Sequence, residues 1–142
     1  MACDDKHTVC KLIGRGKPSR KTVLAALGEH ITPGSTIVHD GESSHELLVS
    51  RLSLVSEVHP TSETKGLDDR DNPLDPINDK CARFKRFLRA HSGFNREYFS
   101  QLVNLFAFIV NPPTNPYEKV EKALFGILNT PNSLTFRDLF CN

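Results

Sequence analysis

Four cysteines are present, and no two form a Cys-x-x-Cys pair. No secretory segment is recognisable either, so Cys3, Cys10, Cys81 and Cys141 are expected as reduced thiols in a cytoplasm. No apolar run approaches the ~18 residues that cross a bilayer. The greasiest stretch, 102–110, reads as a core helix, and no membrane partner is expected. The glycine-rich piece Gly14-Arg-Gly-Lys17 lacks the G-x-x-x-x-G-K-[ST] spacing, which excludes a nucleotide-binding loop. The six histidines show no paired spacing that supports zinc. His39, His45 and His59 nevertheless fall near strand ends, where metal ligation is open to them. The chain also lacks a net charge of note: the formal value is +1, which by itself says nothing about partners.

What is present is a charge distribution and a pattern of elements. Residues 80–89 hold Lys80, Arg83, Lys85, Arg86 and Arg89 with no acid. Residues 11–21 hold Lys11, Arg15, Lys17, Arg20 and Lys21, again with no acid, while acids gather at Asp68, Asp69 and Asp71. At 142 residues the chain is long enough to bury a core and is expected as a single domain over 1–142. Residues 8–13 read as a strand, and the turn Asp4-Asp-Lys-His7 makes it half of a hairpin. Residues 21–31 read as a helix with Val23, Leu24, Leu27 and Ile31 inward, stopped by Thr32-Pro-Gly34. Residues 35–39 are a strand. Ser43 is placed to cap a helix that turns Leu47, Leu48 and Leu52 inward. Residues 54–59 are a further strand. The polar stretch 60–76 is expected as an exposed, mobile loop. Helices follow at 77–90, at 95–110 and at about 117–128, with a last turn at 134–140. This order suits an α/β sheet with flanking helices and a helical C-terminal part.

One acid and one helix stand out chemically. Asp40 ends the β-branched strand Thr36-Ile-Val-His39. Asn78 opens the basic helix, and Lys85 lies seven residues on. Seven residues are nearly two helical turns, so both side chains share a face, roughly 10 Å apart. An acid at a strand end facing an amide oxygen and a cation suits a divalent metal and a phosphodiester. Each residue has a plainer reading beside this one. Asp-Gly is a common turn, Asn caps helices well, and Lys85 is one of five cations on a solvated face. The phenylalanines at 84, 87, 94, 99, 106 and 108 are expected mostly in the core, not as a base-stacking platform.

Three segments carry a resemblance, and they cover most of the chain from about Gly14 onward. They are Ile37-Val-His-Asp-Gly-Glu-Ser-Ser-His45, then Asn72-Pro-Leu-Asp-Pro-Ile-Asn78 with Phe84-Lys-Arg-Phe-Leu-Arg-Ala-His-Ser-Gly-Phe94, then Leu105-Phe-Ala-Phe-Ile-Val-Asn-Pro-Pro113. In this order they resemble the catalytic domain of ISXO-like, DDE-type insertion-sequence transposases. The resemblance implies a ribonuclease H-like mixed sheet and Mg²⁺- or Mn²⁺-dependent cleavage and transfer of DNA strands. It makes Asp40 and Asn78 metal ligands and Lys85 a phosphate-binding cation. Arg15, Lys17, Arg83, Lys85, Arg86 and Arg89 become candidates for contact with transposon ends and target DNA, and self-association is expected. Asparagine stands at Asn78 where most such enzymes carry glutamate. The first strand of the fold, with its catalytic acid, is expected to be missing, with residues 1–3 the end of the second strand. Asp4 and Asp5 are the acids nearest that place. The chain is therefore expected to be a truncated catalytic domain, inactive alone. A non-catalytic DNA-binding remnant and a multimerising module are the alternatives.

Overall fold

The computed structural model describes residues 1–128, with side chains to 125. The turn expected at 134–140 and Cys141 lie outside the described residues. The chain divides into two compact units, the first spanning Met1–Asn111 and the second starting at Pro112.

The first unit opens with a hairpin. Strand β1 (Ala2–Cys3) pairs antiparallel with β2 (Thr8–Val9). Asp4 sets the turn: its Oδ1 accepts from the backbone N–H of Lys6 at 2.8 Å and of His7 at 2.6 Å. These donors hold the Asp4 carboxyl below its usual range. Helix α1 (Arg20–Leu27) follows, continued by a 3-10 turn over Gly28–His30. Ser19 starts it with a reciprocal capping box to Thr22. Then come β3 (Thr36–His39), a 3-10 turn at Ser43–His45, α2 (Glu46–Leu52) and β4 (Val55–Val58). Strands β3 and β4 pair in parallel, Thr36 with Val55 through His39 with Val58. A parallel pair needs a crossover, and α2 provides it.

Val23, Leu48 and Leu54 form the core of this half, with Leu24, Leu27, Ile31, Ile37, Val49 and Leu52 packed around them. The inward residues anticipated for α1 are therefore the ones that pack. Arg20 and Glu46 bridge α1 and α2 from outside at 2.9 Å. Ser53 closes α2 in the left-handed conformation, at φ 51°, which costs a non-glycine residue energy. Ser43 does not cap α2. The 3-10 turn occupies that stretch, and no side chain caps the helix.

The stretch 60–76 is mostly exposed but carries structure: a one-turn helix α3 (Thr61–Thr64) and a 3-10 turn at Asp69–Asp71. Thr64 and Leu74 are buried within it. Helix α4 runs Asp75–Ala90, two residues earlier than the pattern indicates. Pro76 falls in its first turn, where its missing N–H costs nothing and its fixed φ already suits a helix. After a 3-10 turn at Arg96–Tyr98 comes α5 (Phe99–Val110). Asn95 accepts from Glu97 N–H at 3.1 Å, so it caps the 3-10 turn. Helices α4 and α5 meet through aromatic rings. Phe106 lies 4.9 Å from Phe84 and 5.5 Å from Phe87, centroid to centroid, and Phe99 reaches both Phe84 and Phe94. Phe106 is 2% exposed. Phe84, Phe87, Phe94 and Phe99 are half-buried and engaged with one another or with Phe106, which argues against a base-stacking role for these five.

The architecture is mixed α/β with two small sheets. The expected single mixed sheet is not what forms: β1–β2 and β3–β4 are separate two-stranded sheets. The physical reason sits at Thr8. Its backbone N–H donates to Asn111 Oδ1, and Asn111 Nδ2 donates to the Thr8 carbonyl, each at 2.7 Å. A side-chain amide thus takes the pairing that a neighbouring strand would otherwise take. Among the described residues no helix is long and apolar enough to cross a membrane. In the second unit, α6 (Pro116–Leu128) starts at Asn115, whose Oδ1 accepts from Tyr117 N–H, and carries a Glu118–Lys122 ion pair at 2.7 Å.

Candidate functional site

An open cleft of about 1070 Å³ lies within the first unit. The hairpin contributes Asp4, Asp5 and His7, the end of β3 contributes His39 and Asp40, and the start of α4 contributes Ile77 and Asn78. His45 and Asn111 line it as well. Asp40 and Asn78, separated by 37 residues of chain, therefore face one space.

Asp40 is exposed, and its Oδ1 accepts from Glu42 N–H at 3.1 Å. Its second oxygen remains open to a ligand. Gly41, at φ 83°, turns the chain sharply after it, and a Cβ there would stand 3.0 Å from Val58 Cγ1. Only glycine meets both conditions without strain. Asn78 is not the helix cap that the plainer reading made it. Leu74 occupies the N-cap position, and Asn78 N–H donates to the Leu74 carbonyl at 3.0 Å. Its side-chain amide takes no hydrogen-bond partner among the described residues.

The expected cations fall into two groups. Lys85 sits two turns along α4 from Asn78 and does not line the cleft. Lys85, Arg86 and Arg89 are exposed and make no ion pair among the described residues. They form the free part of a basic helix face. Arg83 pairs with Asp79 at 3.8 Å. Lys17 bonds Glu42 at 2.8 Å, and that hydrogen bond raises its pKa. Arg15 is exposed in the same loop.

The histidines matter more in the folded geometry than their spacing in the sequence indicates. One donor nitrogen each from His39 and His45 and one oxygen of Asp40 lie within 4.8 Å of one another. The imidazoles meet edge-on, with centroids 5.1 Å apart. His39 Nδ1 accepts from Gly41 N–H at 3.2 Å, which leaves the proton on Nε2, 2.8 Å from Ser56 Oγ on β4. Burial and the neighbouring His45 push the His39 pKa down, with Asp40 opposing. His45 Nδ1 is buried and has no hydrogen-bond partner. The signal available in the sequence was the six-residue return from His39 to His45 across the Asp40-Gly41 turn. It is not a helical spacing, so periodicity does not expose it.

No family model, no curated protein and no solved structure matches the chain.

Asp40 enters two candidate donor sets: with His39 and His45 its donor atoms lie within 4.8 Å, whereas with Asn78 it shares only the cleft. One, with Asn78, offers two oxygens and a single negative charge. The other, with His39 and His45, offers two imidazoles and the same carboxylate. A pair of Mg²⁺ ions needs oxygen ligands and charge, and Asp40 with Asn78 does not suffice for it. Asp4 does not make up the shortfall freely, since one of its oxygens already holds the hairpin turn. Asp5 is exposed on the same rim.

Proposed function

We propose that the chain is a piece of the catalytic domain of an ISXO-like, DDE-type insertion-sequence transposase, able to bind DNA but unable to cut or join it alone. The observation that carries this reading is the shared cleft of Asp40 and Asn78. Its other support is the segment resemblance, which assigns those two residues to the metal site of a ribonuclease H-like domain. The basic face of Lys85, Arg86 and Arg89 supplies point charges and forks for backbone phosphates. In the whole domain Mg²⁺ or Mn²⁺ would supply Lewis-acid activation of the attacking and leaving oxygens. Here Asp40 and Asn78 would present their oxygens, while Lys85 would hold a phosphate further along α4. One carboxylate and one amide are too few for a metal pair, which is why the chain alone is expected to be inert.

The test has two arms. In a mobility-shift titration the chain should bind duplex DNA in a salt-dependent way. Lys85→Ala and Arg89→Ala should each lower the log–log salt slope by about 1. On supercoiled DNA with Mg²⁺ or Mn²⁺ no nicking is expected. Nicking that disappears in Asp40→Ala would show that the chain completes its own site, with Asp5 the first suspect. Absence of any salt-dependent DNA binding would remove the reading altogether. Salt-dependent binding unaffected by every α4 substitution would place the DNA elsewhere than on this helix.

A further inference from the structure

We propose that His39, Asp40 and His45 bind one divalent transition-metal ion of the zinc and cobalt class at the rim of the cleft. This inference does not rest on the transposase reading: it shares Asp40 with it but takes its two other donors, His39 and His45, from residues that reading leaves aside.

The donors come from a single turn of chain. His39 ends β3, Asp40 follows it, and Gly41 reverses the direction at φ 83°. The 3-10 turn Ser43–His45 then brings His45 back against His39. Around one tetrahedral ion with ~2.0–2.2 Å bonds, ligand atoms sit ~3.4 Å apart. The cluster, within 4.8 Å throughout, needs only a small closing movement. Exposed Asp40 is free to supply part of it.

Tautomer and charge suit a metal. Gly41 N–H marks Nδ1 of His39 as the nitrogen with the lone pair. Nε2–H then faces Ser56 Oγ at 2.8 Å. An outer-shell acceptor on the far ring nitrogen is the usual companion of a metal-bound histidine. The contact from Gly41 to Nδ1, at 3.2 Å, is the long one of the two and the easier to give up. His45 has an unsatisfied buried Nδ1. A buried polar atom with no partner is costly, and a cation held by that ring would engage it. Two imidazoles and one carboxylate form a donor set for borderline ions, not for Mg²⁺. Three protein ligands would leave a fourth position for water.

Cobalt(II) chloride titrated into the full chain is the probe, since tetrahedral cobalt gives visible d–d bands. Saturation at one equivalent is expected, without the near-ultraviolet charge-transfer band of a thiolate ligand, and zinc should abolish the signal by competition. His45→Ala should weaken binding at least ~100-fold, and Ser56→Ala, acting only through His39, about 10-fold. Circular dichroism of each variant checks that it folds, and His45→Gln serves where the alanine variant does not. Glu63→Gln, an exposed carboxylate outside the cleft, should leave cobalt binding unchanged. Loss of binding in Asn78→Ala with none in His45→Ala would place the ion between Asp40 and Asn78 and overturn the proposal. A thiolate charge-transfer band, or no saturable binding at all, would overturn it equally. Failure of the DNA and nicking experiments would leave these expectations as they stand.

Discussion

Replacing Gly41 by alanine tests the turn on which both donor sets depend. Two penalties combine there. The backbone stands at φ 83°, a region in which an L-residue with a Cβ is worse by about 1–2 kcal/mol. The new Cβ would also lie 3.0 Å from Val58 Cγ1, inside ordinary carbon contact. Valine is stiff at χ1, so the methyl does not swing aside freely, and a further ~1 kcal/mol is expected, the low end of overpacking costs. The sum is about 2–3 kcal/mol, a large share of the 5–15 kcal/mol typical of a domain. A double-mutant cycle separates the parts. In a Val58→Ala background the overlap is gone, and Gly41→Ala should cost only the backbone part, about 1–2 kcal/mol. Urea unfolding followed by circular dichroism gives the four free energies. A Gly41→Ala chain within ~0.5 kcal/mol of the parent, the range of an ordinary surface change, would refute the reasoning. Equal costs in both backgrounds would refute the overlap with Val58 alone.

Other expectations follow from single residues. Leu48→Ala, at the one fully buried side chain among the described residues, should lower unfolding free energy by about 2–5 kcal/mol in the same assay. Ser53→Gly relieves the left-handed helix end and should raise it by up to ~1 kcal/mol, because glycine adopts that conformation freely. His39 has a folded pKa below its ordinary 6.5, so the unfolded chain takes the proton first as pH falls. Its contribution is intact above pH 6.5 and is lost as pH drops through the lowered folded value. The urea midpoint should decline in that window, and less so in His39→Gln. Cys3 and Cys10 have thiol pKa values raised chiefly by burial. Both should react with iodoacetamide at neutral pH more slowly than a free cysteine, as peptide mass mapping would show.

Much of the fold was legible because its signals are local. The hairpin turn, the α1 face, strands β3 and β4 and the phenylalanine seam are all written in residues a few positions apart; on α2, Leu48 and Leu52 pack as expected, but Val49 and not Leu47 joins them. Helix α4 began early because one proline reads equally well before a helix or in its first turn. The division into two sheets was not legible: it depends on Asn111 meeting Thr8 across 103 residues, and no periodicity encodes that. At the site, Asp40 and Asn78 were readable as a strand end and a helix start that face one cleft. The approach of His45 to His39 was not, because it depends on a glycine turn and a 3-10 segment whose geometry has no repeat. The seven-residue spacing put Lys85 two turns along α4 from Asn78 but said nothing of how far the cleft extends, and Lys85 does not line it.

The bond between Asn111 and Thr8 also sets a clock. During synthesis residues 1–10 are made before their partner, which follows 103 positions later. At about 5–20 residues per second that is a wait of roughly 5–20 s. Helix α1, the parallel strands and α2 draw on neighbours already made, and they can pack within it. The hairpin has no such neighbours for Thr8, so a strand edge stays open throughout. A segment made before its neighbours is thus fastened after them. The side chain that fastens it is also the final residue before Pro112, so the N-terminal hairpin and the end of the first unit close in a single step.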